Sequence, residues 1–373
     1  MVAFAPNWQA VAALIAGLVS LVSLISLPFT ATMGTSGSAI VALVVIVGAL
    51  LSMLRTGPKI EALILTFSSF GAAALILSGL TDAFGTAGSG YWAAMIGAWL
   101  LGWRLVTVLS GDGQSLGTSI DSFITIIVPA IFGVWILILW EAITRGAGVP
   151  FVLLPPPSAI GARILISTNI LGADFVQTVL KAVLVGYVIG SLSGFLVAVL
   201  ADRYKFFASG LLPIGNMVSA LPMIGIAPIM VIWFGFDWQS KAAVVVVMTF
   251  FPMLVNTLAG LSATGHMERD LMRTYGANHW QVLLKLRLQD AMPFIFNALK
   301  INSTLALIGA IVAEFFGTPV VGMGFRISTE VGRMNLDMVW AEIAMAAVVG
   351  SLFYGLLALA ERFVTFWHPS YRQ

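Results

Sequence analysis

The chain has 373 residues, 60% of them hydrophobic and only 9% charged, with a mean hydropathy of +1.02, a balance that excludes an ordinary soluble domain. A formal net charge of +2 is too small to argue for nucleic-acid binding. The absence of cysteine removes disulfides, thiolate metal sites and cysteine nucleophiles together. An all-α polytopic membrane protein is expected.

A spanning helix needs about 20 apolar residues, and by that measure about ten runs qualify. Four come first: Trp8–Leu27, Ser38–Leu54, Glu61–Leu80 and Tyr91–Leu109. No Lys or Arg precedes the first, so Met1–Pro28 lacks the basic start of a cleavable signal peptide and reads as a retained membrane helix. After the polar link GDGQSLGTSIDS come six more: Phe123–Ile143, Val179–Leu200, Leu211–Phe234, Ala242–Leu261, Phe294–Phe316 and Trp340–Phe363. A domain boundary is expected at the link, with an extension of about four helices over residues 1–119 and a core over residues 120–373.

Along the core, Gly186, Gly190 and Gly194 form two successive G-x-x-x-G steps, which let another backbone approach closely. They suit either a tight crossing in a core or dimer, or plain packing inside one bundle. Pro222 and Pro228, with Gly225 between them, interrupt Leu211–Phe234. A broken helix at membrane depth is tolerated where it is buried or lines a cavity, so a pathway-lining segment competes with a simple kink. Asn256, Asn297, Asn302, Ser303 and Thr304 suit substrate contacts or interhelical hydrogen bonds.

The one long polar interruption is His266–Pro293, with seven Asp, Glu, Lys and Arg residues in 28 positions. It divides at Gly276 into two short amphipathic pieces. In the second, Trp280, Leu284 and Leu288 recur every four residues, and Asn278 with Gln281 can form a capping box. Beyond it, Lys300 and Glu314 stand out as ionisable groups inside a span. Lys300 is expected to snorkel to the loop side; Glu314 suits a gate or a brace. His266, His279 and His368 are too scattered for a metal site. None of the six lysines follows a glycine, so no Walker A motif exists and the chain cannot cradle ATP in that way. No catalytic constellation is present either.

The run DLMRTYGA (Asp270–Ala277), followed by a short helix and Pro293, resembles the EAA signature of permease subunits of binding-protein-dependent ABC importers. Four further segments match the same family in order: LLPPPSA (Leu153–Ala159), ALPMIGIAPIMVIWFGF (Ala220–Phe236), FFPMLVNTLAG (Phe250–Gly260) and GTPVVGMGF (Gly317–Phe325). The resemblance covers about two thirds of the chain and is to the sulfonate, taurine and nitrate branch. It implies a type I importer-like core of six helices behind the four-helix extension. It also implies that residues 266–293 are a cytoplasmic coupling loop, with Asp270, Arg273, Thr274, Tyr275, Gly276, Ala277 and Trp280 facing the ATPase.

By the same resemblance, Met217, Pro222, Met223, Asn256, Asn302 and Glu314 are assigned to the translocation pathway. The implied partners are two copies of an ABC ATPase, a second copy of the chain, an external solute-binding protein and membrane lipid, with no nucleic acid. The chain itself is expected to hold no cofactor, since ATP and Mg would sit on the ATPase. The solute would be small, anionic or heterocyclic.

With the loop inside, Arg203, Lys205 and Arg362 also fall inside, and four preceding helices bring Arg55 and Lys59 in too, as the positive-inside rule prefers. Both termini are then cytoplasmic, in a multi-pass inner-membrane protein. Asp270, Leu271, Met272 and Gln289 depart from the family pattern of glutamate, two alanines and a proline. Without that proline, the second loop helix should run further toward the membrane. The other readings are an ion-gradient-driven transporter or channel, which wants paired acidic residues deep in the spans, and a non-transporting scaffold.

Overall fold

The computed structural model describes residues 7–24, 34–54, 57–80, 85–111, 118–204, 207, 210, 213–214, 223–317 and 320–367. Contacts divide the chain into two compact units, Met1–Ile160 and Gly161–Gln373.

The first unit contains α1 (Trp8–Ser23), α2 (Thr35–Ser52), α3 (Pro58–Ser78), α4 (Ser89–Leu109) and α5 (Thr118–Gly146). Asn7 caps α1 by accepting from Ala10 N at 2.8 Å, and Pro58 opens α3 where its missing N–H costs nothing. α1 packs on α2 and α4, and α3 packs on α2 and α4, around Val41, Val45, Leu65, Ile76, Tyr91 and Leu101. Trp135 and Ala142 of α5 belong to this same core. The contact division therefore falls between Ile160 and Gly161, where composition points to 119/120, because α5 is tied to the preceding helices by its own buried side chains. Arg104 Nε meets Glu61 Oε1 at 2.9 Å between α4 and α3. Glu141 accepts from Ser158 N (2.9 Å) and Ser158 Oγ (2.7 Å), which holds the LLPPPSA turn at the start of α6 (Pro157–Ile166).

In the second unit, α7 (Thr168–Phe175) passes through a π-helical stretch, Val176–Val183, into α8 (Leu184–Arg203). Then come α9 (Met223–Phe234), α10 (Trp238–Ser262), α11 (His266–Thr274) and α12 (His279–Val282). A second π-helical stretch, Leu283–Arg287, leads into α13 (Leu288–Glu314), and α14 (Met323–Gly332) and α15 (Leu336–Val364) complete the unit. α10 is the hub, packed between α8 and α13, while α15 packs on α13 and α14.

Among the described residues, eight helices are long and apolar enough to cross a membrane, including Thr168–Arg203, Trp238–Ser262, His279–Glu314 and Leu336–Val364. Of the other two expected spans, the first is the shorter apolar helix α1. The other, Leu211–Phe234, is described only from Met223 onward apart from Pro213 and Ile214. The run His279–Glu314 is helical without a break, as the missing proline at 289 predicts; Pro293 lies inside it.

Candidate functional site

Three features of the second unit carry the arrangement: the polar loop, a helix seam, and a buried polar cluster at the end of α13 away from the loop.

The loop is built around one glycine. Gly276 has φ +71°, and the amides beyond α11 close a Schellman pattern, Gly276 N to Arg273 O at 2.9 Å and Ala277 N to Met272 O at 3.0 Å. The left-handed step reverses the chain in a place where a Cβ would meet nothing within 4 Å. Asn278 and Gln281 then make both bonds of the capping box, each 2.8 Å, and start α12.

Met267, Leu271, Tyr275, Trp280 and Leu284 all face outward here, with Met267 and Tyr275 each 82% exposed, whereas Leu283 is buried. An apolar face this open on the one polar loop of a membrane protein marks a contact surface. Asp270 and Arg273 pair at 3.7 Å but are both largely exposed, so that pair holds little by itself.

Arg287 is what anchors the loop, a role sequence reading missed. Its Nη1 and Nη2 meet the two Asp202 oxygens at 2.7 and 2.6 Å, and its Nε donates to Leu261 O at 3.0 Å. This half-buried fork ties the start of α13 to the ends of α8 and α10. The π-helical turn supplies the extra residue that rotates Arg287 toward them. Only an acid–base pair between two loops on one side, Asp202 beside Arg203 and Arg287 beside Lys285, hinted at it in the sequence.

The seam is the α8–α10 crossing. A Cβ at Gly186 would lie 2.6 Å from Ala242 O, and one at Gly190 would lie 2.7 Å from Val246 O. Gly194 sits likewise against Phe250 O. The three glycines thus pack inside one bundle. Asn302 of α13 is fully buried at the same level and donates to Ser191 Oγ (3.0 Å) and Thr249 O (2.8 Å), knotting three helices. Asn256 donates to Pro252 O at 2.8 Å and accepts from the exposed Asn297 at 3.4 Å.

Among the described residues, the expected pathway residues do not share one surface. Asn302 lies in the seam, Asn256 on α10, and Glu314 in the cluster described next; Met217 and Pro222 fall outside the described residues, as does the side chain of Met223. An apolar groove of about 500 Å³, lined by Val185, Ile189, Met230, Trp233, Trp238 and others, lies between α8, α9 and α10, and none of the expected residues lines it.

At the far end, Glu314 is 2% exposed, with Asp174 and Thr178 fully buried beside it. Glu314 accepts from Thr178 Oγ1 and Gly324 N, both at 2.7 Å. Arg326 Nε meets Asp174 Oδ2 at 2.9 Å. Lys241 is also buried and donates to Phe236 O at 2.6 Å and to Gly317 O. Asp237, at the exposed start of α10, is held below the usual carboxylate range by the hydrogen bond from Gln177 Nε2 (2.9 Å) and by that from Trp238 N. Glu342 of α15 is fully buried near these charges, and among the described residues its two oxygens accept no hydrogen bond.

Lys300 Nζ meets Glu361 Oε2 at 2.6 Å, joining α13 to the last turn of α15. Acidic groups in the spans are not confined to Glu314, since Glu342 and Glu361 lie in α15. Both were legible as charges in the run Trp340–Phe363 but were hidden by its high hydropathy. Within this cluster Asp174 and Glu314 are occupied by backbone amides, Thr178 and Arg326.

Residues 186–366, which span the seam, the loop and the cluster apart from Asp174, Gln177 and Thr178, match the family described as binding-protein-dependent transport system inner membrane component. That segment belongs to the permeases of binding-protein-dependent ABC transporters. The formylaminopyrimidine transport permease ThiX of Halalkalibacterium halodurans is 29% identical over 239 residues, covering 64% of this chain and 95% of the relative. The riboflavin transport permease RibX of Chloroflexus aurantiacus is 27% identical over 63% of this chain and 88% of its own. The putative aliphatic sulfonates permease SsuC of Bacillus subtilis is 27% identical, covering 66% and 88%. The permease is thus a multi-pass inner-membrane protein of the branch that the sequence resembles.

Proposed function

We propose that this permease is the membrane subunit of an ATP-driven importer and works as a homodimer with two copies of a separate cytoplasmic ATPase. The carrying observation is the His266–Pro293 loop, where an exposed apolar face is held in one shape by Gly276, the Asn278–Gln281 box and the Arg287–Asp202 fork. Asp270, Arg273, Thr274, Tyr275, Gly276, Ala277 and Trp280 form the surface that seats in the ATPase. The side chains of Leu271 and Met272 call for a roomier recess than two alanines would. ATP and Mg bind to the partner, and both termini of the permease face the cytoplasm.

An external binding protein delivers the solute, and the names of the relatives support a small anionic or heterocyclic organic molecule. Purification in mild detergent tests the reading. An ATPase should co-purify and cross-link to a Leu271→Cys variant, and its reproducible absence would favour an ion-driven carrier instead. Mass spectrometry of the cognate binding protein would identify the solute.

A further inference from the structure

We propose that Glu314 is a positioning residue for transport: it fastens the far end of α13 to the first turn of α14, so that α14 follows the loop through one continuous helix. This rests on the ATPase-driven reading above.

The first amides of a helix have no acceptors within it. At the start of α14 three successive amides, counted from its cap Gly322, end on three different side chains. Gly322 N donates to Asp174 Oδ1 at 2.6 Å, Met323 N to Thr178 Oγ1 at 2.8 Å, and Gly324 N to Glu314 Oε2 at 2.7 Å. The Thr178 hydroxyl in turn donates to Glu314 Oε1 at 2.7 Å, so the two acceptors are locked to each other. All three side chains are buried, and water cannot stand in for them.

The glycines are required by contact as well as by conformation. A Cβ at Gly322 would lie 2.7 Å from Glu314 Oε1, and one at Gly324 2.9 Å from Glu314 Cβ. Gly322 also has φ +142°, which side chains rarely adopt. The stretch Gly322–Gly324 is thus a backbone laid against this carboxylate.

Glu314 is the last residue of the run His279–Glu314, which begins inside the loop and is forked to Asp202 by Arg287. A rigid helix held at both ends carries a displacement from one to the other. Thr178 lies in the π-helical stretch before α8, whose other end holds Asp202, so the clamp closes a loop of two long helices.

The chain has no cysteine, so single cysteines report cleanly. Ser328→Cys places one on the exposed side of α14, and Leu271→Cys places one on the loop. In the complex with its ATPase in lipid nanodiscs, maleimide labelling rates would be compared without nucleotide and after trapping with ATP and vanadate. Both positions should change rate. Adding Glu314→Ala should abolish the change at 328 and spare that at 271, while Glu314→Gln, which keeps an acceptor for Gly324 N, should restore it. An unchanged response at 328 in Glu314→Ala, or no response at 328 while 271 responds, would overturn the inference. Silence at both positions with no bound ATPase would overturn the ATPase-driven reading on which it rests.

Discussion

Replacing Gly276 by valine isolates a backbone effect. The residue holds φ +71° and a Cβ there would meet nothing within 4 Å, so no steric overlap with neighbours contributes. What remains is the cost of a left-handed conformation for a β-branched residue, about 2 kcal/mol. At roughly 1.4 kcal/mol per tenfold, the observed turn loses about 30-fold in population against other turns. The loop is exposed, so the cost is met by the turn opening and not by the bundle unfolding.

The permease and its ATPase should therefore still assemble, while solute uptake into proteoliposomes falls steeply and ATP hydrolysis becomes less dependent on loaded binding protein. Gly276→Asn, which tolerates the left-handed region, should retain most uptake. Full uptake by the valine variant would refute the reasoning.

Gly190→Ala forces a methyl group against Val246 O and the Thr249 hydroxyl, and should lower stability in detergent by about 1–3 kcal/mol, read as a drop in melting temperature. Lys300→Met or Glu361→Gln alone leaves a mostly buried partner without its ion pair and should cost about 3 kcal/mol. The Lys300→Met/Glu361→Leu double variant should recover most of that in a double-mutant cycle. For Asp237, a carboxylate lowered in the folded state stabilises the fold above its unfolded value and loses that contribution as pH falls. The stability advantage of the native chain over Gln177→Leu should be complete at neutral pH and close progressively below about pH 4. An advantage that grows on acidification would contradict this.

Much of the fold was legible because spanning helices announce themselves by length and apolarity, and because a polar run such as His266–Pro293 has few places to go in such a chain. The capping box at Asn278 was readable too, since its two residues sit at fixed spacing. What was not legible depended on pairing across distance. Arg287 with Asp202, Lys300 with Glu361 and Asp174 with Gly322 are 85, 61 and 148 residues apart, and no periodicity links them. Asp174 was also masked by its setting, because the preceding segment reads as a link until the π-helical stretch joins it to α8. Asn302 looked available to solute because a single sequence cannot tell which side of an apolar helix meets another helix.

The two fixed ends of α13 set a length. From Arg287 to Glu314 the helix climbs about 40 Å at 1.5 Å per residue, against a hydrocarbon layer of about 30 Å. Both fastenings therefore sit in the headgroup regions when the helix stands upright. Where a thinner bilayer is matched by tilting α13, the tilt drags the Asp202 fork and the α14 clamp sideways together. The thickness of the surrounding lipid thus becomes a mechanical load on the permease, felt at both faces at once.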